Sequence, residues 1–365
     1  ITADSSATAT VWDLADRAAP DLRSLLVEKN DPLASVAFRP DGRSALTVSQ
    51  HGKASFWNVA DPAHPVRGTV MPVPPAWALT AAISPDLRTV AAFGVGPEVT
   101  LTDVTDPARP ATLATINQDT EYTEAMAFSP DARTLATVVD RNKMRLWDLA
   151  VPGRPILRAS FTGDDMVQSL VFSPDGRTLA VGNTPRNVTL WDVANRAAPV
   201  RLATLVGHTK SVISVAFSPD GHTLVSGSND DSAILWDLTD RTQPHRLTTL
   251  TGTAWPVESL AFSPDGRTLV TGTHANAAIL WDLADRAAPT RLATVTNPGT
   301  GTDTVVFSPD GHTVAMAGRL WDYSELNTLR ADPSRYACAI TGRGLTTGEW
   351  ASYIPELPYR RACTD

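Results

Sequence analysis

Apolar and polar residues alternate in short runs that return every 44 or 45 residues. One round shows the pattern in full. Residues 211–217 alternate and stop at Pro219-Asp220-Gly221, a turn in which Pro presets φ and Gly permits a positive one. Residues 222–228 form a second run, turned back at residues 229–231. Residues 233–238 are a third run, rich in the Ile, Leu and Trp that strands favour. Residues 246–250 are a fourth, beyond a proline-containing loop. Period-two alternation bounded by turn chemistry predicts four short strands per round.

Three markers keep the rounds in step. Trp-Asp or a relative recurs at Trp12, Trp57, Thr102, Trp147, Trp191, Trp236, Trp281 and Trp321. A Phe-Ser-Pro-Asp-Gly segment or variant ends at Gly42, Leu87, Ala132, Gly176, Gly221, Gly266 and Gly311. An Asp-Arg-Ala-Ala-Pro loop places a proline eight residues after the Trp position, from Pro20 to Pro289. A four-stranded sheet cannot bury both faces alone, so such units must stack, and radial stacking gives a β-propeller. These residues resemble the WD40 family over residues 1–323, with the Ala-Ala-Pro loop similar to WD40 arrays of actinobacterial multidomain proteins. That resemblance implies a neighbouring domain of the signal-transduction (STAND) NTPase, protein kinase or protease type.

The expected fold is all-β, a seven-bladed WD40 propeller of four-stranded antiparallel blades with a short helical C-terminal cap. Ile1 aligns with Leu46, so the chain starts mid-blade and reads as a piece of something longer. There are seven inner strands, ending at Phe38, Ile83, Phe128, Phe172, Phe217, Phe262 and Phe307, but eight Trp-Asp strands. A strand near residues 22–27 is expected to complete the last sheet, leaving the strand around residues 8–14 either to pair at an edge or to belong to an upstream blade. Eight blades are the alternative, with the tail supplying an inner strand. Residues 324–365 leave the repeat. They hold helix-like stretches near residues 333–340, where Asp332 would cap and Pro333 begin the helix, and near residues 347–353. Cys338 and Cys363 lie in this tail, either as two free thiols or as a disulfide. A disulfide would be worth about 3 kcal/mol by loop entropy and would favour a compartment outside the reducing cytoplasm. Otherwise the resemblance implies a bacterial cytoplasm.

Composition narrows the functions. The 365 residues are 42% hydrophobic and 19% charged, which suits a folded domain rather than a disordered chain. A net charge of −8 excludes the usual nucleic-acid binder, whose affinity comes from neutralising phosphates. No apolar run reaches the roughly 18 residues of a membrane helix. The seven His residues are scattered, and P-loop, His-Glu-x-x-His and Gly-x-Ser-x-Gly motifs are missing, so no metal, cofactor or catalytic residue is expected.

The resemblance implies a structural tetrad of His208, Ser226, Asp230 and Trp236 in one unit. Elsewhere the His position holds Lys29, Pro74, Asp119, Gly163, Thr253 or Pro298. Turns after the first and third strands share one side, and there the motif is monotonous, with Arg43, Arg88, Arg133, Arg177, Arg267 and Arg286. The other side, called top in this family, varies from unit to unit and is where specificity is expected. Asp31, Asp119, Glu121, Glu124, Asp140, Asp164, Asp165, Glu258 and Asp303 fall there, against Lys29, Arg141, Arg186 and Lys210. Trp77, Tyr122, Met166 and Trp255 lie at or beside one position, just ahead of the inner strand. Both Trp residues are either recognition residues or props beneath loops.

Three functions follow as expectations. The first is a non-enzymatic platform that binds a basic protein or peptide on the top face, as a monomeric domain of a longer chain. The second is a regulatory or sensor domain of a larger STAND-NTPase-like or kinase-like signalling protein. The third is a propeller enzyme, with Glu124, Glu258 and Asp303 facing the channel as carboxylates.

Overall fold

The computed structural model describes residues 10–12 and 33–322, apart from residues 40, 62–64, 76–77, 79, 95, 107, 120–122, 164, 254, 275–276, 297–304, 312 and 317–318. Strand β1 (Thr10–Trp12) comes first. Blade 1 is β2 (Leu33–Phe38), β3 (Ser44–Ser49), β4 (Lys53–Asn58) and β5 (Val66–Pro72). Blade 2 is β6 (Thr80–Ile83), β7 (Thr89–Phe93), β8 (Glu98–Asp103) and β9 (Ala111–Asn117). Blade 3 is β10 (Thr123–Phe128), β11 (Thr134–Val139), β12 (Lys143–Asp148) and β13 (Ile156–Thr162). Blade 4 is β14 (Val167–Phe172), β15 (Thr178–Asn183), β16 (Asn187–Asp192) and β17 (Val200–Val206). Blade 5 is β18 (Val212–Phe217), β19 (Thr223–Ser228), β20 (Ala233–Asp237) and β21 (His245–Leu250). Blade 6 is β22 (Val257–Phe262), β23 (Thr268–Thr273), β24 (Ala277–Asp282) and β25 (Thr290–Thr296). A last sheet holds β26 (Val305–Phe307), β27 (Thr313–Met316) and β28 (Arg319–Asp322).

This arrangement corrects the expected blade count. Six blades are four-stranded and antiparallel, with strands paired in chain order, rather than seven or eight. In the last sheet β26, β27 and β28 are antiparallel, but the outer place is taken by β1 running parallel to β28, with Trp12 opposite Trp321. The reason is local. In each complete blade a short loop ties the outer strand to the third strand and forces the chain to reverse. No such loop links β1 to β28, so nothing imposes that direction. Edge pairing is one of the two expectations for this segment, while residues 22–27, expected to complete the sheet, lie outside the described residues. The described residues form no helix. Residues 324–365, with the expected cap and both Cys338 and Cys363, also lie outside them.

Successive inner strands stand side by side from β2 to β26, and β26 returns to β2. Alternate residues of a strand therefore face opposite neighbours, and the core is divided among the gaps between blades. Leu146 and Met144 pack with Val167, Phe172 and Trp191 of blade 4. Trp147, one residue along, packs with Phe93, Leu101 and Ile116 of blade 2. Some approaches leave no room for a side chain. A Cβ on Gly227 would stand 2.7 Å from the Val257 carbonyl of the next blade.

The Ser-Pro-Asp-Gly turns hold themselves together. Ser218 Oγ donates to Asp220 Oδ1 at 2.5 Å, and that oxygen also accepts the His222 N–H at 2.9 Å. The residue at Gly221 adopts φ of 71°, where glycine carries no Cβ penalty. The same device recurs around Asp86, Asp131, Asp175 and Asp265.

Candidate interaction face

Turns after the second strand of each blade, and links into the next blade, lie together on the top side. Five inner strands begin there with a bulge. The register slips between Leu33 and Ser35, Thr123 and Ala125, Val167 and Ser169, Val212 and Ser214, and Val257 and Ser259. A bulge re-aims the extra residue out of the ladder, which here is Ala34, Glu124, Gln168, Ile213 or Glu258.

The links are stitched to their own blades. In blade 4 the Met166 carbonyl accepts the Thr184 N–H at 2.9 Å and the Thr184 hydroxyl at 3.0 Å. In blade 5 Ser228 Oγ donates to the Lys210 carbonyl at 3.2 Å, and Asn229 N–H to the Ser211 carbonyl at 3.0 Å. In blade 6 the Pro256 carbonyl accepts the His274 N–H at 3.1 Å, while at the other end of this link Thr253 donates to the Asp231 carbonyl of blade 5. Between those two anchors Trp255 stands 51% exposed. Three residues on, Glu258 Oε1 lies 2.7 Å from His274 Nδ1. Met166 is 36% exposed at the corresponding rim of blade 4, and Val206, at the end of β17, is 74% exposed between them. Blade 4 thus presents Met166 and Val206, and the links into blades 5 and 6 present Lys210 and Trp255, on anchored supports.

Asp119, Asp140, Arg141, Arg186 and Lys210 are exposed, and Asp165 and Glu258 are half-buried. The described part of the face therefore carries both signs. Trp77, Asp31, Glu121, Tyr122, Asp164 and Asp303 lie outside the described residues. Glu124 is placed in β10 by its backbone alone. The three channel carboxylates are consequently not brought together among the described residues, and Glu258 is engaged by His274. No group of three or more His, Cys, Asp or Glu is placed to hold a metal ion among the described residues. A cleft of about 640 Å³ lies on the opposite side, lined by Asp265, Gly266, Arg267 and residues 283–286.

Beneath the face of blade 5 four polar side chains form one chain of hydrogen bonds. Trp236 Nε1–H donates to Ser226 Oγ at 2.9 Å, and Ser226 Oγ lies 2.8 Å from His208 Nε2. His208 Nδ1 lies 3.0 Å from Asp230 Oδ2. Burial holds His208 below the usual imidazole value of 6.5, although Asp230 pulls the other way. The neutral ring donates Nδ1–H to Asp230 and accepts the Ser226 O–H at Nε2. Burial alone would raise Asp230, but the Ser232 hydroxyl, the Thr209 N–H and His208 together bring it below the usual carboxylate value. Every member is buried and partnered, which rigidifies the blade.

Residues 156–192, 199–237 and 244–282 match the family model described as WD domain, G-beta repeat. The chain carries WD40 repeats. Each matched stretch of WD40 sequence runs from an outer strand to the Trp-Asp pair of the following blade. A WD40 repeat is therefore offset from its blade by one strand, and the repeats interlock the sheets. A search of curated proteins returned no match.

Sequence reading of the WD40 tetrad missed its second version, in blade 3. There Trp147 Nε1–H donates to Thr137 Oγ1 at 3.2 Å, and Thr137 Oγ1 lies 3.4 Å from Gln118 Oε1. Gln118, not Asp119, occupies the His place, because Asp119 turns outward with a positive φ of 54° and a side chain 79% exposed. The links into blades 3 and 5, residues 118–122 and 207–211, have the same length, so alignment on the Trp positions points to Asp119 and gives no sign of Gln118.

Proposed function

We propose that this WD40 propeller is a non-enzymatic platform that binds a protein or peptide, basic in character, on its top face. The observation that carries the reading is Trp255, half-exposed on a link held at Thr253 and Pro256. A large ring kept in solvent on a rigid support loses little freedom on binding and gives up much water-exposed apolar area. The face of the indole attracts a cation, which favours a Lys or Arg of the partner. Met166 and Val206 add exposed apolar surface on blade 4. Among the described residues, no helix is long and apolar enough to cross a membrane.

The test is an unbiased pull-down with the full chain beside Trp255→Ala, at low and high salt. A partner held by the wild type and lost from the variant, with an unchanged melting temperature, supports the platform. A central aromatic anchor costs roughly 2 kcal/mol or more on truncation, a loss of about 30-fold in affinity. A melting temperature that falls with the binding would make Trp255 a prop. Partners retained by the variant would move recognition off this face.

A further inference from the structure

The gap between blades 2 and 3 contains an arginine that the WD40 pattern does not call for. Arg145 occupies the position two residues before Trp147, where blades 5 and 6 hold Ile234 and Ile279. It is 6% exposed, on the strand face that carries Trp147 towards Phe93, Leu101 and Ile116. Taking a guanidinium from water without a counter-charge is costly. Among the described residues the carboxylate within 4 Å of it is Asp119, whose Oδ2 is 3.9 Å from Nη2 and whose side chain is largely in solvent. Nη1 donates to the Gln118 carbonyl at 2.6 Å and lies 3.3 Å from Gln118 Oε1.

The remaining groups lack acceptors. Arg145 Nε, Gln118 Nε2 and Thr123 Oγ1 are all buried and make no hydrogen bond among the described residues. They share one layer. Thr137 pairs with Arg145 across the sheet, Thr123 pairs with Val139, and Val139 is two residues along the same strand from Thr137. Gln118 joins that layer through its bonds to Arg145 and Thr137. The unused hydrogens are one on Nε, two on the amide and one on the hydroxyl, against a spare acceptor only on the hydroxyl. A water molecule must donate as well as accept, so a surplus of donors around a positive charge suits it poorly. An acceptor-only ion meets both demands.

We propose that the interface of blades 2 and 3 holds a monovalent inorganic anion of the halide class, bound by Arg145 Nε and Gln118 Nε2 with the Thr123 hydroxyl as a third donor. The ion supplies the counter-charge that lets a cation stand in an apolar gap, and it links blade stability to halide concentration.

The decisive experiment is diffraction from crystals of the full chain soaked in sodium bromide. An anomalous peak at hydrogen-bonding distance from both nitrogens is the expected result. A water there with no anomalous signal overturns the proposal. In solution, thermal melts in sodium chloride are compared with sodium gluconate at equal ionic strength, gluconate being too large to be buried. The melting temperature should climb with chloride and stay flat with gluconate. A rise that follows ionic strength whichever anion is present would also overturn it. Arg145→Met should abolish the chloride response. Should that variant fail to fold, Gln118→Glu serves instead, because it builds the counter-charge into the chain. It should melt at the chloride-saturated temperature without chloride and gain nothing from its addition.

Discussion

One indole shows how closely the WD40 positions depend on a single partner. Trp57, Trp147, Trp236 and Trp281 each donate Nε1–H to a hydroxyl ten residues upstream, on Thr47, Thr137, Ser226 or Thr271. The corresponding residue for Trp191 is Val181, and the Trp191 Nε1 is buried with no partner among the described residues. Val181→Thr is nearly isosteric and offers the missing acceptor. We expect it to raise stability by about 1 kcal/mol, where burying a hydroxyl would otherwise lower it. Urea unfolding checks this, and a destabilised variant would mean that Trp191 is already satisfied by water. His208 gives a second expectation, in pH. Its folded pKa lies below 6.5, so its contribution is complete above the unfolded value of about 6.5 and is lost as pH falls towards the folded one. Unfolding midpoints between pH 7.5 and 5 should drop in the wild type and drop less steeply in His208→Gln. The hydroxyl and the His were legible in the sequence because they sit in fixed register with Trp. Gln118 and Arg145 were not, since a buried cation leaves no periodic trace.

Among turns and loops, what looked like uniform punctuation proves to fasten one blade to the next. Arg241, in the loop between β20 and β21, donates from Nη1 to Asp175 Oδ2 at 2.9 Å and to Thr178 Oγ1 at 2.8 Å in the preceding blade. Arg286 repeats this on Asp220 and Thr223, and Arg196 reaches Thr134 at 3.1 Å. Blades 4, 5 and 6 thus each grip the one before. In the sequence the position five residues after the Trp site is Pro62, Pro107 and Pro152 in blades 1 to 3. In blade 2, the turn that holds Gly176, Gly221 or Gly266 elsewhere carries Leu87, fully buried against Leu46, Val48 and Val104. An apolar plug there takes the part that a guanidinium plays in the later blades. For Asp220 burial would raise the pKa, but hydrogen bonds from Arg286, Ser218 and the His222 N–H outweigh it and lower it to about 2. Its contribution is present above about 3.8 and is lost as pH falls towards about 2. Arg286→Ala should bring the Asp220 titration up towards 3.8 by carbon-13 NMR, and soften the acid limb of stability over that window. An Asp220 titration that does not move would show that Ser218 and the His222 N–H suffice. The turns themselves were plain in the sequence. Which blade each arginine would hold depends on the angle between sheets, which composition does not record.

For the ring, periodicity told that the sheets are radial and how long each unit is, because three markers cannot stay in step over so many rounds unless the geometry repeats. It misjudged the seam. Strand pairing inside a blade follows from short loops, whereas pairing between the two ends of a chain follows from whatever surface is left uncovered. That is why the six complete blades were legible and the last sheet was not. The top face followed suit. Its position could be read from the variable links, while Trp255 and Met166 gained their meaning from the carbonyls that anchor those links. A pull-down tests the face, and bromide tests the gap between blades 2 and 3, so success or failure of one leaves the other untouched.

The parallel pairing of β1 with β28 has a consequence for biosynthesis. Thr10 pairs with Arg319, about 310 residues further along. At about 5–20 residues per second, the first strand leaves the ribosome roughly 15–60 s before its partner has been made. Throughout that interval the newborn protein is an open arc with a raw edge at either end, and whatever shields those edges from neighbouring polysomes sets how much of it survives to become a circle.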